Sequence, residues 1–271
     1  MAIEVFAPAK INLTLHVTGQ RPDGYHLLES LVVFADIGDQ LRVSKSDEMQ
    51  ITVDGPFAQG VPTDQRNLCW RAAELFGETV SIHLTKNLPH AAGIGGGSSD
   101  AAAVLNAMEQ LFEWPCSASA LSLGADVPVC QRGRATLMSG IGETLSETDI
   151  RPLDAVLVNP RVDVPTPQVF KGLTTKNNPA MTPMPAPDQN HALWHWLADQ
   201  RNDLQAPAVA AQPIIAEVLA TLASLNPQIA RMSGSGATCF ALFETRTQRD
   251  AAAQTLKQRN PEWWVEPTTL T

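Results

Sequence analysis

Tyrosine is nearly absent from this 271-residue sequence, occurring once at Tyr25, and the 19 lysines and arginines are outnumbered by 28 aspartates and glutamates. The resulting net charge of -9 denies the chain the basic face that displaces counterions from a nucleic-acid backbone, so no nucleic-acid partner is expected. An anionic ligand would have to be held locally, by backbone N–H groups and one or two placed cations. Cysteine is scarce as well. Cys69, Cys116, Cys130 and Cys239 lie far apart without a C-x-x-C pair, which speaks against a zinc cage or a disulfide framework and for buried thiols in a reducing compartment. No stretch reaches the roughly 18 apolar residues of a membrane span, and the start MAIEVFAPAK lacks the basic region and apolar run of a secretory signal. A cytoplasmic protein with no membrane partner is expected. With 44% hydrophobic and 17% charged residues, the chain suits one large or two modest globular domains.

Periodicity organises what is present. INLTLHV, residues 11 to 17, alternates apolar and polar side chains as a half-buried strand does, and Leu31 to Phe34 and Leu41 to Val43 read as strands separated by a turn-like DIGD. Asn67 to Phe76 looks helical, and Thr79 onward alternates again, with Val80, Ile82 and Leu84 on one face. After a glycine-rich loop, Ala101, Val104, Leu105, Met108, Leu111 and Phe112 recur at helical spacing up to Pro115. The segment is therefore strand, loop, helix. LSLGADVPVCQRGRATLMSG mixes turns with short strands, and AVLVNP at 155 to 160 reads as a buried strand. Residues 176 to 189, rich in proline and polar side chains, suit an exposed connection. Helical patterns follow at about 190 to 201 and from Ile214 to Leu225.

The loop NLPHAAGIGGGSSDAAAVLNAM, residues 87 to 108, is the strongest local signal. A loop entering a helix gathers unpaired N–H groups at the positive end of the helix dipole, and glycine lets a bulky anion approach them. The bland alternative is a tight turn capped by Ser98 or Ser99. A Walker A loop is excluded because no lysine follows Gly97. A dinucleotide fingerprint is excluded because Gly93, Gly95 and Gly97 give G-x-G-x-G with Ser98 at the last position.

Pro89 to Ala101, PHAAGIGGGSSDA, resembles the P-x-x-x-G-[LI]-G-x-[GS]-S-[SAG] phosphate loop of the GHMP kinases, the superfamily of galactokinase and homoserine, mevalonate and phosphomevalonate kinases. PAKINLTLHVTGQRPDGYHLLES, from Pro8, is similar to the N-terminal motif of the branch whose acceptor is a cytidine diphosphate ester. RMSGSGATCFALF, from Arg231, resembles the superfamily's C-terminal glycine motif, and LGADVPVC and VDVPTPQVF fit the same branch. Little is recognisable between Phe170 and Arg231.

The resemblance implies an α+β, two-domain GHMP kinase fold. Residues 1–150 would form an ATP-binding domain like the second domain of ribosomal protein S5, and residues 151–271 a ferredoxin-like α/β sandwich. It implies transfer of the γ-phosphoryl group of ATP to the 2-hydroxyl of the methylerythritol unit of a cytidine diphosphate ester, a step of non-mevalonate isoprenoid precursor synthesis. ATP is the co-substrate and Mg2+ is implied by it, with the metal ligands left open because no glutamate matches the carboxylate of some superfamily members. Asp126, in GADVPV, carries over as general base and Lys10, in PAKIN, as the cation orienting it. Read without the resemblance, these would be a turn-capping carboxylate and a solvated lysine.

Pro89, Gly93, Gly95, Gly96, Gly97, Ser98 and Ser99 are the expected triphosphate cradle, while Asp100 is read as a favourable first-turn charge and not as catalytic. For the acceptor, Tyr25 is expected to stack on the cytosine and His26 to hydrogen-bond it, with Thr166, Pro167 and Phe170 forming another wall and Asn12 placing the substrate. Gly234, Ser235 and Gly236 are expected near the substrate phosphates. The expected partner is that small molecule alone, with the protein a monomer or weak homodimer. Two rivals stand beside this reading: a homoserine or mevalonate acceptor, and a non-catalytic nucleotide-binding regulator.

Overall fold

The computed structural model describes residues 1–115, 120–186 and 190–271; Cys116 and the last residues of the proline-rich connection, 187–189, lie outside the described residues. The chain runs β1 (Ala2–Asn12), β2 (His16–Gln20), β3 (His26–Lys45), β4 (Gln50–Asp54), α1 (Leu68–Glu74), β5 (Val80–Thr85), α2 (Gly96–Phe112) and α3 (Val127–Arg132). It continues with β6 (Thr136–Gly140), β7 (Thr144–Glu147), β8 (Leu153–Asn159), α4 (Thr166–Lys171), α5 (Asn190–Asp199), α6 (Gln205–Ala211) and α7 (Ile214–Ala223). β9 (Ile229–Met232), β10 (Cys239–Phe243), α8 (Arg246–Arg259) and β11 (Trp264–Leu270) complete it. Two compact units emerge, neither continuous in sequence. One gathers Met1–Lys10, Ile37–His90 and Gly95–Gly133, the other Ile11–Asp36, Ala91–Ile94 and Arg134–Thr271.

In the first unit, the later half of β3 pairs antiparallel with β5, and β4 pairs parallel with β5. Leu41 and Val43 on β3 and Val80, Ile82 and Leu84 on β5 are buried, as the alternation predicts for one apolar face. α2 packs on α1 and α3, burying Ala101, Val104, Leu105, Met108 and Leu111. The spacing of these residues had marked one helical stripe, and the helix ends at Glu113, before Pro115. α1 is capped by Asn67, whose side chain accepts the N–H of Cys69 at 2.9 Å.

The DIGD segment does not turn. β3 runs unbroken from His26 to Lys45 because its polar residues are used inside the fold. Asp36 accepts the Thr268 hydroxyl and the Thr269 N–H. Asp39 is fully buried, and a Cβ at Gly38 would stand 2.2 Å from the carbonyl oxygen of Ala7, so glycine serves a close backbone approach. A second departure is the helix α3 within GADVPVCQR, where proline sits in the first turn and needs no N–H partner.

The second unit carries an antiparallel sheet in the order β11-β8-β10-β9, with Ala241 opposite Val156 on β8 and Ala230 on β9. Val156, Val158, Cys239, Ala241 and Phe243 share one core cluster with Ile215, Val218 and Leu222 of α7 and Ala252, Ala253 and Leu256 of α8. This is the helix-on-sheet layer that the resemblance implied. α8 escaped the periodicity reading because its apolar stripe is little more than alanine; its signature is the capping box Thr245 with Gln248. The first part of β3 pairs with β2 and β6 in this unit.

The run 11–17 is split. β1 ends at Asn12 and β2 starts at His16, with Leu15 bridging Asn202 between them. Its polar residues are buried along with the apolar ones because they have partners: Asn12 Nδ2 donates to Ser30 Oγ at 2.7 Å, and Thr14 Oγ1 accepts the Leu31 N–H at 2.8 Å. Residues 176–186 form no helix or strand, yet they are pinned in the second unit. Asn178 donates to the Val17 carbonyl, the Met181 N–H to Glu29, and the Trp196 indole to the Thr182 carbonyl. Cys69, Cys130 and Cys239 are buried free thiols, and burial pushes the Cys130 thiol up to about 12.

Candidate active site

In the first unit the chemistry gathers at the head of α2. Gly95 caps the helix in the left-handed conformation, φ +63°, with no side-chain capping bond. A Cβ there would stand 2.9 Å from Lys10 Cε, so glycine is demanded both by the backbone angle and by the lysine lying against it. The first turn of a helix leaves its N–H groups without intrahelical partners, and here that turn is Gly96, Gly97 and Ser98. Gly97 is exposed and Gly96 and Ser98 half-buried, so no bulky side chain covers these donors. Ser99 faces inward, its hydroxyl donating to the Pro8 carbonyl at 2.6 Å, which ties the helix start to β1 two residues before Lys10. Pro89 is buried on the approach to the loop.

Lys10 Nζ meets Asp126 Oδ2 at 3.0 Å, with side chains 4% and 36% exposed. Asp126 occupies the cap position of α3 but makes no capping hydrogen bond with its side chain. The capping alternative is therefore not what this carboxylate does. It is partly open to solvent and paired with a buried ammonium.

In the second unit another set converges. Gly234, Ser235 and Gly236 form the turn between β9 and β10. Asn202 Nδ2 shapes it by donating to the carbonyls of Met232 and Gly234, both at 2.8 Å. Ser233 Oγ accepts the Asn12 N–H at 3.1 Å and donates to the Gly93 carbonyl at 3.0 Å, so Asn12, Gly93 and the glycine turn share one hydroxyl. Thr166, at the start of α4 beside Pro167, shares a hydrogen bond with Ser235 at 2.8 Å.

Phe170 stacks on His26, with ring centroids 4.8 Å apart and planes 27° from parallel. Burial, with a smaller contribution from Lys176, lowers the His26 pKa, and its Nε2 has no hydrogen-bond partner among the described residues. Tyr25 stands beside it 60% exposed, an aromatic face still open to a ligand.

Sequence reasoning thus found residues that the structure gathers in two sets: Lys10, Asp126, Gly95 to Ser99 in one unit, and Asn12, His26, Phe170, Thr166, Gly93 and Gly234 to Gly236 in the other. It missed the supporting side chains. Ser233, Asn202, Asp39 and Lys86 are short or common residue types with no spacing rule attached; Asp39 lies within β3 and Lys86 just after β5, so neither stood out.

The comparisons with known proteins are extensive. Residues 67–135 match the GHMP kinases N terminal domain and residues 189–262 the GHMP kinases C terminal domain. Relatives named 4-diphosphocytidyl-2-C-methyl-D-erythritol kinase from Dinoroseobacter shibae and Ruegeria pomeroyi are 59% and 54% identical, over 98% and 97% of this chain and 94% and 98% of theirs. A crystal structure of 4-(cytidine 5'-diphospho)-2C-methyl-D-erythritol kinase matches with a TM-score of 0.80 at 33% identity, over 99% of both chains. A homoserine kinase from Cytophaga hutchinsonii, at 18% identity and a TM-score of 0.69 over 100% of this chain and 94% of its own, shares the fold.

Proposed function

The chain belongs to the GHMP kinase family, in its 4-diphosphocytidyl-2-C-methyl-D-erythritol kinase branch, and on that premise we propose how its residues phosphorylate the 2-hydroxyl of that cytidine diphosphate ester. It is an ATP-dependent small-molecule kinase of isoprenoid precursor synthesis. The N–H groups of Gly96, Gly97 and Ser98 hold polyphosphate oxygens at the positive end of α2, replacing water with fixed donors. Asp126 accepts the proton of the acceptor hydroxyl. The alcohol oxygen then bonds to the γ-phosphorus as the bond from that phosphorus to the β,γ-bridging oxygen breaks, and ADP leaves with the electron pair. Lys10 fixes the carboxylate's orientation and offsets charge developing on the migrating group. The observation that carries this reading is that Lys10, paired with Asp126, lies directly against Gly95.

Tyr25 and the His26–Phe170 stack supply aromatic surface for a base, and the unpartnered Nε2 of a neutral His26 suits a hydrogen bond to cytosine. These features support a cytidine ester and have no use in a kinase of homoserine or mevalonate. Gly234 to Gly236, with Thr166 on Ser235, are assigned to the substrate phosphates. Magnesium would come with ATP. Among the described residues no group of three or more His, Cys, Asp or Glu could hold a metal. Residues 1–150 and 151–271 are taken as the ATP-binding and C-terminal domains, one family match falling in each. Among the described residues no helix is long and apolar enough to cross a membrane; a cytoplasmic location and a monomeric or weakly dimeric state are part of the same proposal.

The test is incubation with ATP, magnesium and a panel of cytidine diphosphate alcohols, homoserine and mevalonate, reading product mass. Phosphorylation of the methylerythritol ester alone is expected. Phosphorylation of a plain alcohol instead, or no turnover with nucleotide bound, would replace this reading by one of its two rivals.

A further inference from the structure

Beneath the head of α2 lie three buried charges that the chemistry above does not use. Asp39 on β3 is fully buried, and the side chains of Lys86, just after β5, and Asp100, in α2, are each 4% exposed. Lys86 Nζ donates to one oxygen of Asp39 and, at 2.7 Å, to Asp100 Oδ2. The other Asp39 oxygen accepts the N–H groups of Asn87 at 2.6 Å and Leu88 at 2.9 Å. The chain is thus gripped just before the glycine loop and just after it by the same three side chains. A Cβ on Gly96 would stand 3.2 Å from Lys86 Nζ, which sets the ammonium directly under the first turn of the helix.

Stability alone is a poor reason for such a cluster. Desolvating three charges is expensive, and well-packed apolar side chains of similar volume often do as well or better. The cluster is also unbalanced: two carboxylates and one ammonium sum to one net negative charge when all are ionised, and Asp100 Oδ1 has no hydrogen-bond partner among the described residues. What the arrangement does supply is geometry, because it ties the approach and the exit of an otherwise side-chain-free turn to β3.

We propose that Asp39, Lys86 and Asp100 act as a positioning clamp for the nucleotide loop, so that the handling of ATP depends on them and the handling of the acceptor does not. This deepens the kinase reading and rests on it. The charge state of the clamp provides a readout that a plain packing role would not move. Burial raises the Asp100 pKa to about 8, with Asp39 adding to the rise and Lys86 opposing it. Lys86 itself is pulled down by burial but held above its ordinary value by Asp100 and Asp39. The groups facing the cluster from its neighbours are the Cys69 thiol on α1 and the Cys130 thiol on α3, the latter also beside Asp126 and Lys10. Both thiols are pushed up by burial and stay protonated near neutrality. As pH rises past the Asp100 value, the clamp passes from neutral to one negative charge beneath donors meant for a polyanion, and ATP affinity falls.

The experiment compares the full-length wild type with Lys86→Met and Asp100→Asn, measuring KM for ATP and for the cytidine ester from pH 6 to 9 together with thermal unfolding. Wild-type turnover comes first; its absence would sink the kinase reading itself, whereas the variants judge the clamp. Lys86→Met is expected to raise KM for ATP ~10-fold or more, the effect of a loop displaced by a fraction of an ångström, and to leave KM for the ester within about twofold. Wild-type KM for ATP should climb severalfold between pH 7 and 9, as expected of one charge near a polyanion. Asp100→Asn keeps an oxygen for Lys86 and cannot ionise, so its profile should be flat. Equal effects on both Michaelis constants, or an Asp100→Asn profile that follows the wild type, would overturn the clamp. Should Lys86→Met fail to fold, the Asp100→Asn profile alone decides.

Discussion

Replacing Asp126 by asparagine removes one proton acceptor and one charge while keeping a carbonyl oxygen where Lys10 Nζ now meets Oδ2 at 3.0 Å. Asparagine is the sharper choice than alanine, which would also delete an oxygen from beside a lysine only 4% exposed and so mix catalysis with folding. Because Asp126 is itself 36% exposed, screening limits what its charge adds to stability to about 1 kcal/mol or less. For a chain of this size that is a fall in Tm of about 2–4 °C at most.

Catalysis should suffer far more. A positioned acid or base contributes about 10²–10⁴-fold, so kcat should drop by at least ~100-fold, equivalent to about 2.7 kcal/mol of barrier. ADP release followed at saturating ATP and cytidine ester gives kcat, and a calorimetric titration gives nucleotide affinity. The expected pattern is a collapsed kcat with ATP binding nearly intact. If kcat stays within about tenfold of the wild type, or if nucleotide binding falls as far as turnover, then the carboxylate is structural and its pairing with Lys10 has been misread.

Gly95→Ala should weaken ATP binding ~10-fold or more, since a side chain at φ +63° costs about 1–2 kcal/mol and its Cβ would collide with Lys10 Cε; ATP affinity undiminished in a titration would contradict the loop assignment. Tyr25→Ala should raise KM for the cytidine ester by about 1–3 kcal/mol in binding terms without affecting KM for ATP, as an exposed ring lost from a base stack does; an unaltered ester KM would remove Tyr25 from the site. His16 gives a pH signature. Burial, then Arg201, lowers its pKa below the ordinary 6.5, so as pH falls below 6.5 the unfolded chain takes up a proton that the folded chain refuses, and stability is lost. Urea midpoints between pH 5 and 7.5 should show this decline, and His16→Gln should reduce it; an identical slope in the variant would assign the acid sensitivity elsewhere.

Much of the candidate site was legible because it depends on local backbone chemistry. An anion-binding helix start needs small residues at the head of the helix after a strand, and Gly95 to Ser99 have that pattern in neighbouring positions. Lys10 and Asp126 became readable only through motif resemblance, since a single charge carries no periodicity. Where local rules competed with tertiary ones, the tertiary ones won. DIGD has the composition of a turn, yet it continues β3 because Asp36 and Asp39 find N–H, hydroxyl and ammonium partners far along the chain. The alternation in INLTLHV promised a wet face, yet Asn12 and Thr14 are buried because Ser30, Ser233 and Leu31 satisfy them.

By itself, then, the amino-acid order determined which segments could be strand, glycine loop and helix, because these follow from composition and from spacing along a few residues. Only the folded chain decided that Lys10 meets Asp126, that His26 stacks on Phe170, and that Asp39, Lys86 and Asp100 converge under Gly96. Each of these joins residues from separate elements, and the energy of a buried charge or ring depends on what surrounds it in space, a quantity that no spacing along the chain encodes.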